Sequence, residues 1–193
     1  MPPSPHHPPL HRARSRGFTL VEIMVALLVL SLGVLGAAGM QVAAIQANRD
    51  ARNQEAAVRL ASELGELIRA NNTTARATTV AANPYLQSFS GSALTAGTSC
   101  YINVRCINGV EVANRDMVEW SQRVVDLLPG ARVTVCFDET PYAAAGQAQW
   151  ACTNTGTVMQ IKIGWSRPSL DRSTIDQATR PSVVVPVPPV QVL

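Results

Sequence analysis

One long apolar stretch constrains this chain more than any other feature of its sequence. Residues 18–40, FTLVEIMVALLVLSLGVLGAAGM, contain a single charged side chain, that of Glu22. As an α-helix, a segment of this length spans about 35 Å at 1.5 Å per residue, which exceeds the roughly 30 Å hydrocarbon core of a bilayer. The stretch therefore predicts a transmembrane helix, with the lipid bilayer as its surroundings.

The segment before this stretch, residues 1–17, is rich in proline and contains no acidic residue. Its arginines Arg12, Arg14 and Arg16 precede the apolar stretch, and no equivalent basic cluster follows it. The positive-inside rule then predicts a cytoplasmic amino terminus and an exported body.

Without these three arginines, the remaining 13 basic residues (16 minus 3) balance the 13 acidic residues. The net charge of the body therefore does not indicate nucleic-acid binding.

The positions of the histidines argue against an enzyme. His6, His7 and His11, the three histidines of the chain, all lie in residues 1–17. If this segment is removed, the body has no histidine for general acid–base catalysis or for a histidine-containing zinc site. We therefore predict no catalytic residue, no cofactor and no metal site.

Glu22 separates two interpretations of the apolar stretch. A secretory signal peptide has an apolar region of about 7–15 residues followed by small residues, which Ala37-Ala38-Gly39 imitates, but the present stretch is longer. An acid inside a membrane is unfavourable, by roughly 2.5–3.5 kcal/mol at a helix centre and less near an end. Two roles of Glu22 would account for this acid. Thr19 and Glu22 could form a capping box at the start of the helix, or the carboxylate could pair with a positive charge from another chain.

The sequence Arg16-Gly17-Phe18-Thr19-Leu20-Val21-Glu22, followed by the apolar run, resembles the class III signal of type IV prepilins. The resemblance implies that a prepilin peptidase cuts between Gly17 and Phe18 and methylates the freed Phe18 amine. It implies that Glu22 then pairs with the Phe18 ammonium of a neighbouring subunit. The implied partners are other minor and major pilins and the inner-membrane assembly platform. The implied location is the inner membrane, with a periplasmic head, and then the pilus filament.

The long helix is predicted to continue beyond the membrane. No proline occurs between residues 18 and 83, and Leu60, Leu64, Leu67 and Ile68 form an apolar stripe among polar residues. One helix to about Arg69 is the simplest interpretation. We therefore divide the chain into a cleaved leader (1–17), a transmembrane half-helix (18–40), a periplasmic half-helix (41–70) and a globular head (71–193).

Within the head, the patterns predict one helix and two antiparallel strands. The predicted elements, in chain order, are a connector over 71–97, a helix from Asp116 to Leu128 that Pro129-Gly130 ends, strands over 132–137 and 157–166, and an extended edge or loose segment over 183–190. The helix would bury Met117, Trp120, Val124, Leu127 and Leu128. The predicted fold class is α+β and type IV pilin-like: a long amino-terminal helix packed on a small antiparallel sheet with a second short helix.

The four cysteines all lie in the predicted exported region, where disulfides persist. Their spacing does not match a zinc ribbon. Three pairings are possible, and we favour Cys100 with Cys106 and Cys136 with Cys152, because the second pair links the two predicted strands. Closing a loop of about 15 residues contributes roughly 3 kcal/mol in the chain-entropy model.

A second resemblance concerns the carboxy-terminal half. Asp116-x-x-x-Trp120, Leu127-Leu128-Pro129-Gly130 and Ile161-x-Ile163-x-Trp165 resemble the minor-pilin family called type IV pilus modification protein. This resemblance implies a low-abundance subunit at the tip or in the initiation complex of a pilus. The alternatives are a minor pseudopilin of type II secretion and a filament-displayed adhesin or DNA-binding module. Exposed aromatic residues near an arginine cluster would favour the last of these, but Trp120, Trp150 and Trp165 have ordinary explanations as core residues, with Trp150, beside Cys152, the weakest case.

Overall fold

The computed structural model describes residues 17–95, 100, 105–168, 175–176 and 179–188. The predicted leader, except for Gly17, lies outside the described residues, as does the end of the predicted tail. The chain divides into two compact units, Met1–Gln46 and Ala47–Leu193, which are described one at a time.

Helix α1, Leu20–Ala70, begins in the first unit and ends in the second. Its length confirms the prediction of one helix to about Arg69. In the second unit the predicted stripe is buried, with Leu60, Leu64 and Ile68 at most 3% exposed and Leu67 half-buried. This amphipathic part of the helix supplies one wall of the core of the head.

The head contains a four-stranded antiparallel sheet rather than the two predicted strands. The described residues form six strands, four of them in this sheet: β1 (Ser88–Ser90), β2 (Arg132–Phe137), β3 (Met159–Gly164), β4 (Arg167–Pro168), β5 (Ile175–Asp176) and β6 (Val183–Val187). The main sheet has the order β1-β2-β3-β6, and β4 pairs with β5 in a separate ribbon. The observed fold is thus the predicted type IV pilin-like α+β fold, with a larger sheet.

One face of the sheet packs on the helices. The register aligns apolar side chains across three strands in rows such as Val133, Ile163 and Val183. Because successive side chains of a strand point to opposite faces, these rows share one face. They form the core with α1 and with helix α3, Gly109–Leu127. Trp120 is fully buried there and donates a hydrogen bond from Nε1 to the Leu60 carbonyl at 2.9 Å, which ties α3 to α1.

Helix α3, Gly109–Leu127, begins seven residues earlier than predicted. The Asn108 side chain caps it by accepting a hydrogen bond from the Glu111 backbone at 2.9 Å. Met117, Trp120, Val124 and Leu128 are buried as predicted, but the prediction for Leu127 was wrong, since this side chain is 45% exposed. Gly130 has a positive φ of 56°, and Ser166 occupies the space that a side chain at this position would need. Both observations favour glycine here, which explains why the chain turns at Pro129-Gly130 directly after the helix, as predicted.

The described part of residues 71–97 is more ordered than the predicted loose connector. It contains helix α2, Asn72–Ala75, and strand β1. Buried Asn83 donates hydrogen bonds to the carbonyls of Ala75 and Ala77 at 2.9 Å each. The Tyr85 hydroxyl lies 3.1 Å from Asp116 Oδ2 on α3, and burial is the main cause that raises the pKa of Tyr85 above its ordinary value. These polar contacts, which no periodic pattern reveals, hold the segment in place.

The carboxy-terminal segment forms an edge strand, the first of the two predicted interpretations. Among the described residues, strand β6 pairs with β3 alone and lies at the edge of the main sheet. Pro186 lies in this strand, where the missing backbone N–H is tolerated because an edge strand has one unpaired side.

Candidate functional site

The amino-terminal motif surrounds the start of helix α1. Thr19 lies immediately before the helix, and its Oγ1 accepts a hydrogen bond from the Glu22 backbone N–H at 3.3 Å. Its carbonyl accepts a second hydrogen bond from Ile23 N at 3.3 Å. Thr19 therefore supplies the threonine half of the predicted capping box, which satisfies one of the free N–H groups at the helix end.

The Glu22 side chain is not engaged by this cap. Glu22 is exposed in the first turn of α1, and no hydrogen bond or ion pair involves its carboxylate within the described residues. Phe18, four residues earlier, is 78% exposed at the same end of the helix. The negative charge at this position is thus open to a partner.

The large apolar side chains of the first unit are exposed. From Phe18 to Ile45 each of them is at least half exposed, and no atom lies near the positions that a Cβ would take at Gly33, Gly36 or Gly39. Helix α1 contains a stretch that is long and apolar enough to cross a membrane. A surface of this kind suits lipid or other apolar helices rather than water.

The family model described as the prokaryotic N-terminal methylation motif matches residues 12–38. This chain is a type IV prepilin-like protein. No curated protein and no solved structure matches it. The motif and the apolar helix fit an inner-membrane anchor, and the motif implies processing by a prepilin peptidase and assembly with other pilins. The prepilin-like protein is therefore a pilin or pseudopilin in general, and the motif points to a structural subunit.

Two disulfides shape the head of the prepilin-like protein. They join Cys100 to Cys106 and Cys136 to Cys152, the two pairs that the sequence favours. The first lies just before α3, and the second joins β2 to the loop that leads into β3. This loop, residues 138–158, is called the disulfide loop below.

Asp138, the first residue of the disulfide loop, forms a buried ion pair with Lys162 that the sequence did not predict. Lys162 Nζ lies 2.6 Å from Asp138 Oδ2 and 2.6 Å from the Ala151 carbonyl oxygen, and both charged side chains are 0% exposed. Lys162 is on the face of β3 opposite the helices, where strand alternation predicts solvent. The disulfide loop covers this face instead, because the Ala151 carbonyl binds Lys162 and Cys152 is joined to Cys136.

Asp138 accepts several hydrogen bonds besides that of Lys162. The backbone N–H groups of Thr140 and Thr153 donate to its Oδ1 at 3.1 and 3.3 Å. Burial alone would raise the pKa of this carboxyl, but the bond from Lys162, the two backbone bonds and the positive charge of Lys162 together hold the pKa below its ordinary value. Asp138 is thus a charged, hydrogen-bonded group that joins the start of the disulfide loop to Thr153 and to β3.

The low pKa of Asp138 predicts an acid-sensitive fold. A carboxyl with a lowered folded-state pKa stabilises the protein above its unfolded-state pKa of about 3.9, and this contribution is lost as the pH falls through the folded-state value. As the pH is lowered from about 5, we expect the urea concentration at the midpoint of unfolding to fall less steeply for Asp138→Asn than for the wild type. Asp126→Asn, which changes an exposed carboxylate on α3, should follow the wild type. Identical pH profiles for Asp138→Asn and the wild type would contradict the assignment.

The same region contains a cluster with metal-binding residue types. Ligand atoms of Cys136, Asp138 and Cys152 lie within 4.8 Å of one another. The two cysteines are joined in a disulfide and Asp138 is paired with Lys162, so these atoms are already used in holding the loop. The cluster is structural.

Proposed function

We propose that this protein is a minor pilin, a structural subunit that promotes the assembly or modification of type IV pili. The observation that carries the proposal is the exposed Glu22 carboxylate at the start of an exposed apolar helix that bears the prepilin motif. An acid in an apolar environment is stable only with a compensating charge. Such a charge would come from the amino terminus of a neighbouring subunit.

Processing creates this charge in the proposal. A prepilin peptidase cuts between Gly17 and Phe18 on the cytoplasmic side and methylates the new Phe18 amine. The cut removes the leader (1–17) and leaves the transmembrane half-helix (18–40) on the mature protein. The periplasmic half-helix (41–70) carries the head (71–193), and Phe18 and Glu22 of different subunits pair in the filament.

The finer assignment to the modification-protein family is supported by core positions. Trp120, Leu128, Ile161, Ile163 and Trp165, which carry that resemblance, are all buried in the head. In this chain they belong to the core in which α3 packs against the sheet. A low-abundance subunit at the pilus tip or in the initiation complex is the proposed role.

The proposal predicts that Glu22→Gln inserts into the inner membrane normally but incorporates poorly into filaments. Loss of one compensating charge pair worth about 1.4 kcal/mol lowers incorporation about tenfold. The measurement is the ratio of the protein in sheared pili to that in the membrane fraction, together with amino-terminal mass spectrometry for methylated Phe18. Glu55→Gln, an exposed change elsewhere on α1, should incorporate like the wild type. Equal recovery of the two variants would reject the role of Glu22.

The alternative is a minor pseudopilin of type II secretion. The family match covers residues 12–38 and does not distinguish a pilin from a pseudopilin. A gene deletion separates the two systems. Loss of surface pili and twitching with normal exoprotein secretion supports the pilus role, and loss of secretion with normal piliation supports the pseudopilin role.

A further inference from the structure

One short segment of the disulfide loop lies against the face of β3 that carries Lys162. Residues 151–157, called the cover segment below, have the sequence Ala-Cys-Thr-Asn-Thr-Gly-Thr and contain no large apolar side chain. They are exposed, except for the half-buried Cys152. The side chains of Lys162 and Asp138 are nevertheless 0% exposed. A thin, polar stretch of chain therefore helps to keep an ion pair away from water.

Polar contacts and one covalent bond attach the cover segment to the sheet. The polar contacts lie on both sides of Cys152: Lys162 Nζ donates to the Ala151 carbonyl at 2.6 Å, the Thr153 N–H donates to Asp138 Oδ1 at 3.3 Å, and the Asn154 N–H donates to the Phe137 carbonyl at 2.9 Å. Cys152 itself is bonded to Cys136 of β2. Directly before the segment, Trp150 is half-buried rather than a core residue, and Arg132 Cζ lies 4.4 Å from the centre of its ring.

The polar contacts by themselves favour the closed segment only weakly. A hydrogen bond inside a protein replaces one to water, so its net contribution to the free energy of folding is small. Burial of an ion pair removes the hydration of both charges, and this cost can exceed their attraction. The cover segment adds little apolar area that would offset the cost. The disulfide, which closes the loop between Cys136 and Cys152, therefore decides the balance in favour of the closed segment.

We propose that the Cys136–Cys152 disulfide is a redox-sensitive latch of the head. While the disulfide is intact, the cover segment stays on β3 and shields Lys162. When the disulfide is reduced, the cover segment lifts from β3, and water reaches the amine of Lys162 and the carboxylate of Asp138. The change is confined to the disulfide loop, because α1 and α3 pack on the opposite face of the sheet.

The redox step is a thiol–disulfide exchange that transfers two electrons and two protons. Opening the latch takes them from a dithiol such as dithiothreitol, which becomes a disulfide while two cysteine thiols form. Closing the latch returns them to a disulfide oxidant such as glutathione disulfide, which yields two glutathione thiols. Since disulfides persist in oxidising compartments, the latch closes in such a compartment. It depends neither on Glu22 nor on the choice between a pilus and a secretion system.

The chain supplies its own reporter of the latch, because Lys162 is its single lysine. The full-length protein in a neutral detergent is treated with the N-hydroxysuccinimide ester of acetic acid before and after incubation with dithiothreitol. A chelator in both samples keeps metal ions from the freed thiols. Cleavage at arginines that do not precede proline yields one peptide, 133–172, which contains Cys136, Cys152 and Lys162. Mass spectrometry of this peptide reports the thiol state and the acetylation of Lys162 together.

We expect Lys162 to be acetylated about tenfold faster after reduction than before it. An open form populated to about 10% or less while the disulfide is intact becomes the main form when the disulfide is reduced. Reoxidation with glutathione disulfide should restore the slow rate.

Two pairs of serine substitutions assign the effect to one disulfide, since dithiothreitol also reduces the other. Cys136→Ser with Cys152→Ser should give fast acetylation of Lys162 without any reductant. Cys100→Ser with Cys106→Ser, the matched control, should keep the slow rate of the wild type. Hydrogen exchange of the α3 amides around Trp120 should remain at the wild-type level in both variants, which checks that the core is folded.

Three outcomes would overturn the proposal. The first is slow acetylation of Lys162 in the reduced wild type or in the variant with Cys136→Ser and Cys152→Ser. The second is fast acetylation in the variant with Cys100→Ser and Cys106→Ser. The third is loss of α3 protection together with the shielding of Lys162, because the disulfide would then hold the whole head rather than the cover segment.

Discussion

Lys162→Met is expected to destabilise the head by about 3–5 kcal/mol, because it leaves the carboxylate of Asp138 buried without its counter-ion. Both side chains of this pair are fully buried, and Asp138 also accepts backbone hydrogen bonds that favour its charged form. The measurement is urea unfolding of the full-length protein in detergent, followed by near-ultraviolet circular dichroism of the head.

Two controls isolate the unpaired charge as the cause. Arg123→Met breaks the exposed ion pair with Glu63 and should cost no more than about 1 kcal/mol. The double change Lys162→Met with Asp138→Leu removes both charges, and we expect it to recover much of the loss. A single Lys162→Met variant as stable as Arg123→Met would show that the pair does not hold the disulfide loop.

Trp120→Ala is expected to cost about 3–5 kcal/mol, the range for removing a large aromatic side chain from a core. Trp120 is fully buried, lies edge-on to Phe89 with ring centres 6.2 Å apart, and bonds to the Leu60 carbonyl. Its removal leaves a cavity where α3, α1 and β1 meet. The readout is again the urea midpoint of the full-length protein.

Smaller changes divide this effect into its parts. Trp120→Phe retains most of the volume but leaves the Leu60 carbonyl without this donor, so we expect a loss of about 1–3 kcal/mol. Leu127→Ala, on the exposed side of the same helix, should be close to neutral. If Trp120→Ala matched Leu127→Ala, the packing of α3 on α1 would contribute little to the stability of the head.

The elements that the sequence predicted are those whose signal is local. The stripe of Leu60, Leu64 and Ile68 has the period of a helix, and the alternation of Val133 and Val135 has that of a strand. Strand β1, with three residues in a polar segment, has too few residues to show a period. It is a strand because its backbone pairs with β2, a partner more than 40 residues away.

The charged centre of the head could not be predicted for a related reason. Alternation along β3 places Lys162 opposite to Ile161 and Ile163, which for a sheet with one covered face means solvent. Whether that second face is covered depends on the path of the disulfide loop. The contact of Arg132 with Trp150 has the same origin, since it joins a residue of β2 to a residue of that loop.

The sequence by itself determined the amino-terminal design of this protein. The apolar stretch, the Gly17-Phe18 junction and Glu22 are contiguous, and their chemistry depends on order along the chain rather than on contacts at a distance. Tertiary structure alone decided what the head buries and what it exposes. The Lys162–Asp138 pair and the contact of Arg132 with Trp150 join separate segments, and only strand pairing and the disulfide bring these segments together.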